Sequence, residues 1–315
     1  MWKSLAATLI TAAFFGSGLA KADRPDEFTP GMETMWEVMW HQSGIPTRLV
    51  RWEQDNITVS VTGVNLDAHK QRTLDALRTV AAEAGVQVID VSDQPDLARQ
   101  ANVSIEITPN AALSENQPCE TRLDFETETR IESVTMQMRD SDVARCVLHE
   151  SMHVMGVRGH PDGETVLSYF AHHVEGLAPL DKAMLRAWYS PKVRGGMTPF
   201  EVMPVLADEL VKISPDRKQA EHARERFFAQ TIEQMQAFAQ GEGDVPPILK
   251  LCGKATSEGI RFGRMEMSYF LAVAYQKGAT VEQDAAQATR WLQRAASLGN
   301  RSAQARLSSD QPTRS

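Results

Sequence analysis

The sequence predicts an α+β fold: a mixed β-sheet with one backing helix and a second helix beneath the sheet, followed by an α-helical repeat region. Two observations support this prediction. Between residues 57 and 155 the patterns run in the order strand, helix, strand, strand, strand, helix. Beyond residue 180 the predicted elements are all helices, and one segment repeats after 40 residues.

Each element follows from its own pattern. Ile57, Val59 and Val61 alternate with polar residues, which is typical of a half-buried strand. Strands are predicted at residues 57–61, 86–91, 103–107 and 131–138. Helices are predicted near residues 33–41, 67–84, 142–155, 180–189, 199–213 and 216–240. The acidic and polar residues 109–130 are expected to form a long loop.

The first 22 residues have the pattern of a secretory signal peptide. Lys3 precedes an apolar run at residues 5–19, and residues 20–22 form an A-x-A cleavage site. We expect the mature chain to begin at Asp23, to be exported to the periplasm or the extracellular space, and to have no stable membrane span. Without residues 1–22 the chain has 31 basic and 41 acidic residues, and a net charge of −10 argues against nucleic-acid binding.

Composition and pattern divide the chain into segments. They are a signal peptide at 1–22, an N-terminal arm at 23–55, an α+β domain at 56–213, an α-helical repeat region at 216–308 and a disordered tail at 309–315. Within the helical region, residues 254–261 align with residues 294–301, and the helices between them resemble a Sel1-like repeat of the tetratricopeptide kind. Because so few units cannot bury their own faces, the region is expected to dock onto the rest of the chain or to bind a protein partner.

The most informative motif is the run H-E-S-M-H from His149 to His153. Residues i and i+4 lie one above the other on a helix, so the two histidines can direct their imidazoles at one metal ion. Glu150 lies one position round the helix, where a carboxylate can act as general base on a metal-bound water without being a ligand. Gly156 can adopt the left-handed conformation that ends the helix and turns the chain back.

A third ligand is expected just after this turn. His160 is the first choice, because it can approach the ion from the other side. His172 and His173 are competing candidates that lie farther from the helix end. Three imidazoles favour zinc.

With Gly156 and His160, the motif resembles the H-E-x-x-H-x-x-G-x-x-H signature of the metzincin metalloproteases, with one additional residue that Gly159 can accommodate in a loop. The resemblance implies a metzincin-like fold and zinc-dependent peptide hydrolysis, with Asp162 as the reserve third ligand. It also implies a methionine turn beneath the metal, for which this chain has V-L-S-Y-F at residues 166–170. Tyr169 in that stretch is either a substrate-side residue or an aromatic packing residue.

A longer stretch, residues 146–210, is similar to a family of secreted bacterial proteins known as a domain of unknown function (DUF2927). It includes the segments L-D-K-A-M-L at 180–185, W-Y-S-P at 188–191 and G-G-M-T-P at 195–199. This resemblance also implies a metzincin-like fold, but it implies no substrate.

The chain contains three cysteines. Export permits disulfides, and Cys119 with Cys146 is the predicted pair, because Cys119 lies in the polar loop and Cys146 lies three residues before His149. Cys252 lies in a helical pattern and is expected to be a buried thiol.

Two functions are compatible with these patterns. The first is a secreted zinc metallopeptidase that holds zinc with His149, His153 and His160, uses Glu150 as general base, and binds an extended peptide or protein segment along the open edge of strand 131–138. The second is a non-catalytic exported protein that recognises a partner through its helical repeat.

Overall fold

The computed structural model describes residues 27–39, 48–127, 129–168, 176–242, 245–246 and 257–309. The predicted signal peptide, Tyr169, His172, His173 and Cys252 lie outside these residues, as do residues 310–315 of the predicted tail. Within the described ranges, no helix combines the length and the apolar character needed to cross a bilayer.

The fold is built on a five-stranded mixed β-sheet. Its strands are β1 (Asn56–Gly63), β2 (Gln87–Asp90), β3 (Val103–Thr108), β4 (Cys119–Thr127) and β5 (Arg130–Arg139). Their order in the sheet is β2-β1-β3-β5-β4. Strands β2, β1, β3 and β5 are parallel to one another, and β4 pairs antiparallel with β5.

The helices precede, cover and follow this sheet. They are α1 (Phe28–Val38), α2 (Leu66–Glu83), α3 (Pro95–Ala98), α4 (Val143–Val154), α5 (Pro179–Trp188), α6 (Pro199–Ile213), α7 (Arg217–Gln240), α8 (Ser257–Lys277), α9 (Ala285–Ser297) and α10 (Arg301–Ser309). These bounds agree with the predicted helices at 67–84, 180–189, 199–213 and 216–240 to within a residue. The α4 helix is one residue shorter at each end than predicted, because a 3₁₀ turn at Asp140–Asp142 precedes it.

One face of the sheet is buried by two helices. In β3, Val103, Ile105 and Ile107 are buried while Ser104 and Glu106 are exposed, which is the alternation of a sheet with one solvated face. The α2 helix packs over β1 and β2, α4 packs over β4 and β5, and the two helices contact each other. The helix that carries the histidines therefore packs against the β4–β5 side of the sheet.

The predicted loop at residues 109–130 is wrong for its second half, which forms β4. In this strand Thr121, Leu123 and Phe125 are only half-buried and alternate with charged residues, so the apolar pattern is weak. Pairing with β5, with register shifts around Phe125, stabilises the strand instead. Because β4 occupies the sheet edge, the prediction that strand 131–138 is the open edge is also wrong: β5 lies between β3 and β4.

Residues 28–38 of the predicted N-terminal arm form α1, which overlaps the helix predicted near residues 33–41 and begins five residues earlier, inside the core. Phe28, Met32, Met35 and Trp36 are buried, and the Trp36 ring stacks on Phe200 of α6 at a centroid distance of 5.6 Å. Methionine and tryptophan in a short segment gave little periodicity, although they supply much apolar surface for burial.

The helical region packs onto the rest of the chain. The α8 and α9 helices contact each other and bury Trp291 and Ala295. The Thr280 hydroxyl donates to the Phe200 carbonyl at 2.6 Å, and α8 also contacts α6 and α7. One buried apolar cluster extends from the sheet into these helices.

Candidate metal centre

The site begins with the burial of one face of α4. Val143, Cys146 and Val147 are buried towards the start of the helix, and Met152 and Val154 are buried towards its end. This burial fixes the rotation of the helix about its axis. His149 and His153, one turn apart, therefore lie on the same side, with His153 only 7% exposed.

The end of α4 turns the chain back towards these histidines. Gly156 has a φ of +85°, its N–H donates to the His153 carbonyl at 2.8 Å, and the Val157 N–H donates to the Met152 carbonyl at 3.2 Å. This pair of hydrogen bonds is the Schellman ending of a helix, for which glycine is the usual residue. A Cβ atom at Gly156 would lie 2.4 Å from the Val50 carbonyl oxygen, so the turn also requires close approach of another backbone segment.

The returning chain brings His160 to the two helix histidines. Gly159 passes so close to α1 that a Cβ atom there would lie 2.6 Å from the Val38 Cα. The Nε2 atom of His160 lies 3.1 Å from that of His149 and 3.0 Å from that of His153, and the two helix histidines are 3.0 Å apart at the same atoms. The three residues lie close enough to bind a metal ion.

Asp162, the reserve ligand, is not part of this group. Its N–H donates to the Glu37 carboxylate at 3.2 Å, and its carbonyl accepts a hydrogen bond from the Thr34 hydroxyl at 3.0 Å. Among the residues that the structure describes, the group of possible ligands contains only the three histidines. The additional residue between Gly156 and His160 therefore does not prevent the third imidazole from reaching the other two.

Two backbone carbonyls fix the orientation of the helix histidines. The Nδ1 of His149 lies 2.9 Å from the Val166 carbonyl oxygen, and the Nδ1 of His153 lies 2.7 Å from the Val157 carbonyl oxygen. A carbonyl can only accept, so each Nδ1 carries the proton and each Nε2 presents a lone pair. Two lone pairs that face each other at 3.0 Å require a cation or a shared proton between them, and a divalent metal ion satisfies this requirement for all three rings.

The environment keeps these imidazoles neutral. Burial lowers the pKa of His149 and, with the neighbouring His149 and His160, lowers the pKa of His153 well below its usual value. Burial, with a smaller contribution from His149, lowers the pKa of His160 to about 4. The rings are therefore in the unprotonated form that metal binding requires at neutral pH.

Glu150, the residue after His149 in α4, carries a buried carboxyl group. Its side chain is only 4% exposed, and its Oε2 makes no hydrogen bond of normal geometry to any described residue. Burial raises its pKa to about 7, the nearby Thr121 hydroxyl partly opposes the rise, and Glu120 adds to it. The group can therefore take up or release a proton near neutral pH.

A disulfide ties the edge strand to the metal-site helix. Cys119, the first residue of β4, and Cys146 of α4 are bonded, with their Cα atoms 6.1 Å apart, which confirms the predicted pair. Thr121 follows Cys119 by two residues on the strand, and Glu150 follows Cys146 by one helical turn. The bridge therefore lies one step from the contact between Thr121 and Glu150 and holds these two elements together.

Some residues that support the site have no signal in the sequence. The Trp52 indole N–H donates to the Val154 carbonyl at 2.8 Å, and the Tyr189 hydroxyl donates to the Met155 carbonyl at 2.9 Å. These side chains satisfy carbonyls that the end of α4 leaves without helical partners. Both contacts span more than 30 residues of chain, so no local pattern could predict them.

No protein-family model, no curated protein and no solved structure matches this chain. The metzincin and DUF2927 resemblances therefore rest on the residues quoted above. Tyr169, His172 and His173 belong to the segment that the structure does not describe.

Proposed function

We propose that the protein is an exported zinc-dependent peptidase with a metzincin-like fold. The observation that carries this proposal is the convergence of three neutral imidazoles at the helix that also carries the buried carboxyl group of Glu150. A metal held by three protein ligands keeps a coordination position open, which distinguishes catalytic zinc sites from closed structural ones.

Zinc is the ion that the ligand set fits best. Zinc binds imidazole nitrogen at ~2.0–2.1 Å, so two nitrogens of a tetrahedral site lie ~3.3 Å apart. The Nε2 separations of 3.0–3.1 Å are only a few tenths of an ångström shorter, and a common point at zinc-binding distance from all three nitrogens exists. Three imidazoles without thiolate or carboxylate ligands also argue against calcium and magnesium, which prefer oxygen.

Glu150 is the proposed general base. A bound zinc ion supplies polarisation of the scissile carbonyl and lowers the pKa of a water molecule towards neutrality. Glu150 accepts the proton of the attacking water and returns it to the leaving amine. Its partial isolation from hydrogen-bond donors leaves the carboxylate available for this transfer.

The sheet offers a surface for an extended substrate. Strand β4 pairs with β5 on one side, and no other described strand pairs with its outer edge. A peptide that adds to this edge runs past Thr121, the residue that lies near Glu150. The exposed charges Glu120, Arg122 and Glu126 on the same strand also guard it against aggregation, and the two roles are compatible.

Export to the periplasm or the extracellular space is part of the proposal. The signal-peptide pattern at residues 1–22 motivates it, and the Cys119–Cys146 disulfide supports it because such bonds persist in oxidising compartments.

The test uses the mature chain and two variants. Wild type is expected to contain one zinc per chain and to cleave a mixed peptide library. Glu150→Gln is expected to retain zinc and to lose cleavage, and His153→Ala is expected to lose zinc. Full zinc content with no cleavage in wild type would refute the peptidase and favour a non-catalytic exported protein, whereas cleavage that survives Glu150→Gln would refute the assigned base.

A further inference from the structure

Asp181 on α5 is a fully buried carboxylate close to the metal centre. Its exposure is 0%, and it accepts hydrogen bonds from the Thr165 hydroxyl, from the Val166 N–H at 3.2 Å and from the Ala178 N–H at 2.9 Å. Burying a carboxylate costs free energy unless hydrogen-bond donors surround it. The positions of these three donors therefore depend on the negative charge of Asp181.

Two of the three donors belong to the segment that orients His149. The Val166 peptide donates to Asp181 through its N–H, and the Val166 carbonyl accepts the Nδ1–H of His149 at 2.9 Å. The Thr165 hydroxyl, besides donating to Asp181, accepts the Leu167 N–H at 3.2 Å. Asp181 therefore holds the residues on both sides of the carbonyl on which the His149 ring depends.

The two helix histidines differ in this respect. The carbonyl that orients His153 belongs to Val157, which lies in the hydrogen-bonded turn at the end of α4. The carbonyl that orients His149 belongs to a separate segment, 17 residues further along the chain, in the turn that the Ser168 N–H closes by donating to the Thr165 carbonyl at 3.2 Å. The acceptor of His149 therefore lies on a segment of its own, which the Asp181 side chain ties to α5.

We propose that Asp181 is a positioning residue of the metal centre, which acts through Val166 to hold the His149 imidazole in the orientation and tautomer that bind the ion. The inference rests on the metal site of the proposed function, and it does not require peptide cleavage. Residues that orient a ligand in this way change metal affinity by about 10- to 100-fold when they are replaced.

A simpler role for Asp181 is the capping of α5, and a matched control separates the two. Asp181 occupies the third position of α5 and accepts the N–H of Ala178, the residue before the helix. Glu201 occupies the same position of α6 and accepts the Thr198 N–H at 2.8 Å, also from a nearly buried side chain. Glu201 makes no contact with the histidines or with Val166 among the hydrogen bonds of the described residues.

The experiment compares Asp181→Asn with Glu201→Gln in the full mature chain. Asparagine has the same shape as aspartate. Its NH₂ group, however, would face the Thr165 hydroxyl or the N–H groups of Val166 and Ala178, which are themselves donors. Zinc affinity is measured by competition with a chelator, thermal stability is measured on the metal-free protein, and the His149 ring tautomer is read from ¹⁵N chemical shifts of the metal-free protein.

We expect Asp181→Asn to weaken zinc binding by about 10- to 100-fold and to mix the two tautomers of His149. Glu201→Gln should lower stability without changing zinc affinity or tautomer.

Thr165→Val provides a second variant, which keeps the carboxylate, in case Asp181→Asn does not fold. It should weaken zinc binding in the same direction. The proposal is overturned if the folded variants of Asp181 and Thr165 bind zinc as wild type does, or if Glu201→Gln weakens binding equally. Wild type that binds zinc but cleaves no peptide refutes only the proposed peptidase, whereas wild type that binds no zinc refutes the metal centre and this inference with it.

Discussion

At the scale of single residues, the candidate site depends on which ring nitrogen carries a proton. Val166 and Val157 each provide a carbonyl that takes the Nδ1 proton of one histidine, so both Nε2 lone pairs face the same point. Burial then disfavours a second proton on either ring. The fold thus holds three neutral imidazoles at short distance. A cation that binds between their Nε2 atoms lowers the free energy of this arrangement.

The metal-free protein is expected to lose stability as the pH falls from about 7 to about 5. In the unfolded chain each histidine has a pKa near 6.5, whereas the folded values of His149, His153 and His160 are lower, so the unfolded state binds more protons and acid favours unfolding. Glu150 acts in the opposite sense, because burial raises its folded pKa from 4.5 to about 7. Burial also raises the pKa values of Glu37 and Asp181, but the three imidazoles dominate because their unfolded pKa lies inside this pH range.

Melting temperatures at pH 7.5 and pH 5.5, in the presence of a chelator, check this expectation. His160→Asn removes one of the three groups and should show a smaller decrease between the two pH values. A melting temperature that is unchanged or higher at the lower pH in wild type would contradict the assigned protonation states.

At the scale of elements, distant side chains complete the end of α4. Trp52 precedes β1 and Tyr189 follows α5, yet both donate to carbonyls at the end of α4, those of Val154 and Met155. The Tyr189 hydroxyl also accepts the backbone N–H of Trp52 at 3.3 Å, and the Arg51 guanidinium lies 4.6 Å from the centre of the Tyr189 ring. These contacts join three segments at the point where the chain leaves the helix towards His160.

Tyr189→Phe is therefore expected to destabilise the protein by about 1–3 kcal/mol, because it removes the hydroxyl that pairs with the Met155 carbonyl and with the backbone N–H of Trp52. Urea denaturation measures the change. Tyr275→Phe is the matched control: among the hydrogen bonds of the described residues its hydroxyl accepts only from the Gln236 side chain, at 2.6 Å, and its loss should cost less stability. Equal costs for the two variants would show that Tyr189 has no special role at the end of α4.

Gly156→Ala tests the turn that returns the chain. Gly85 ends α2 with the same pair of hydrogen bonds and a φ of +71°, but a Cβ atom there would meet nothing within 4 Å. Gly85→Ala is expected to lower the free energy of unfolding by about 1–2 kcal/mol, because alanine must adopt the left-handed conformation. Gly156→Ala should cost more and should also weaken zinc binding, because the added atom collides with the Val50 carbonyl and displaces the path to His160.

Denaturation midpoints and chelator competition on both variants provide the measurement. Wild-type zinc affinity in Gly156→Ala would mean that the position of His160 does not depend on this close approach.

The elements that the sequence predicts and those that it does not predict differ in where their stability comes from. β1 and α2 alternate or repeat their apolar residues with a clear period, and both were predicted to within about two residues. β4 has half-buried residues and gains its stability from β5 and from the Cys119–Cys146 bond, both of which are non-local. The histidines followed from helical geometry, whereas Val166, Asp181, Trp52 and Tyr189 act through contacts between segments that are distant in sequence.

At the scale of the whole molecule, one apolar core extends across residues 213–216. Phe200 is fully buried, stacks on Trp36 of α1, and accepts a hydrogen bond from Thr280, which lies between α8 and α9. Lys277 at the end of α8 also forms an ion pair with Glu201 of α6. The helices after residue 216 thus complete the apolar cluster that begins in the sheet.

We therefore expect the protein to unfold in one cooperative transition. In urea, far-UV circular dichroism reports mainly on the helices and tryptophan fluorescence reports on both regions, so the two curves should coincide, as should the release of zinc. Phe200→Ala is expected to lower the free energy of unfolding by about 3–5 kcal/mol and to shift all three curves together, since the cavity lies where the regions meet. If instead the helical region melted first while zinc stayed bound, the metal centre would be independent of the helices after residue 216, and the shared core would not control its stability.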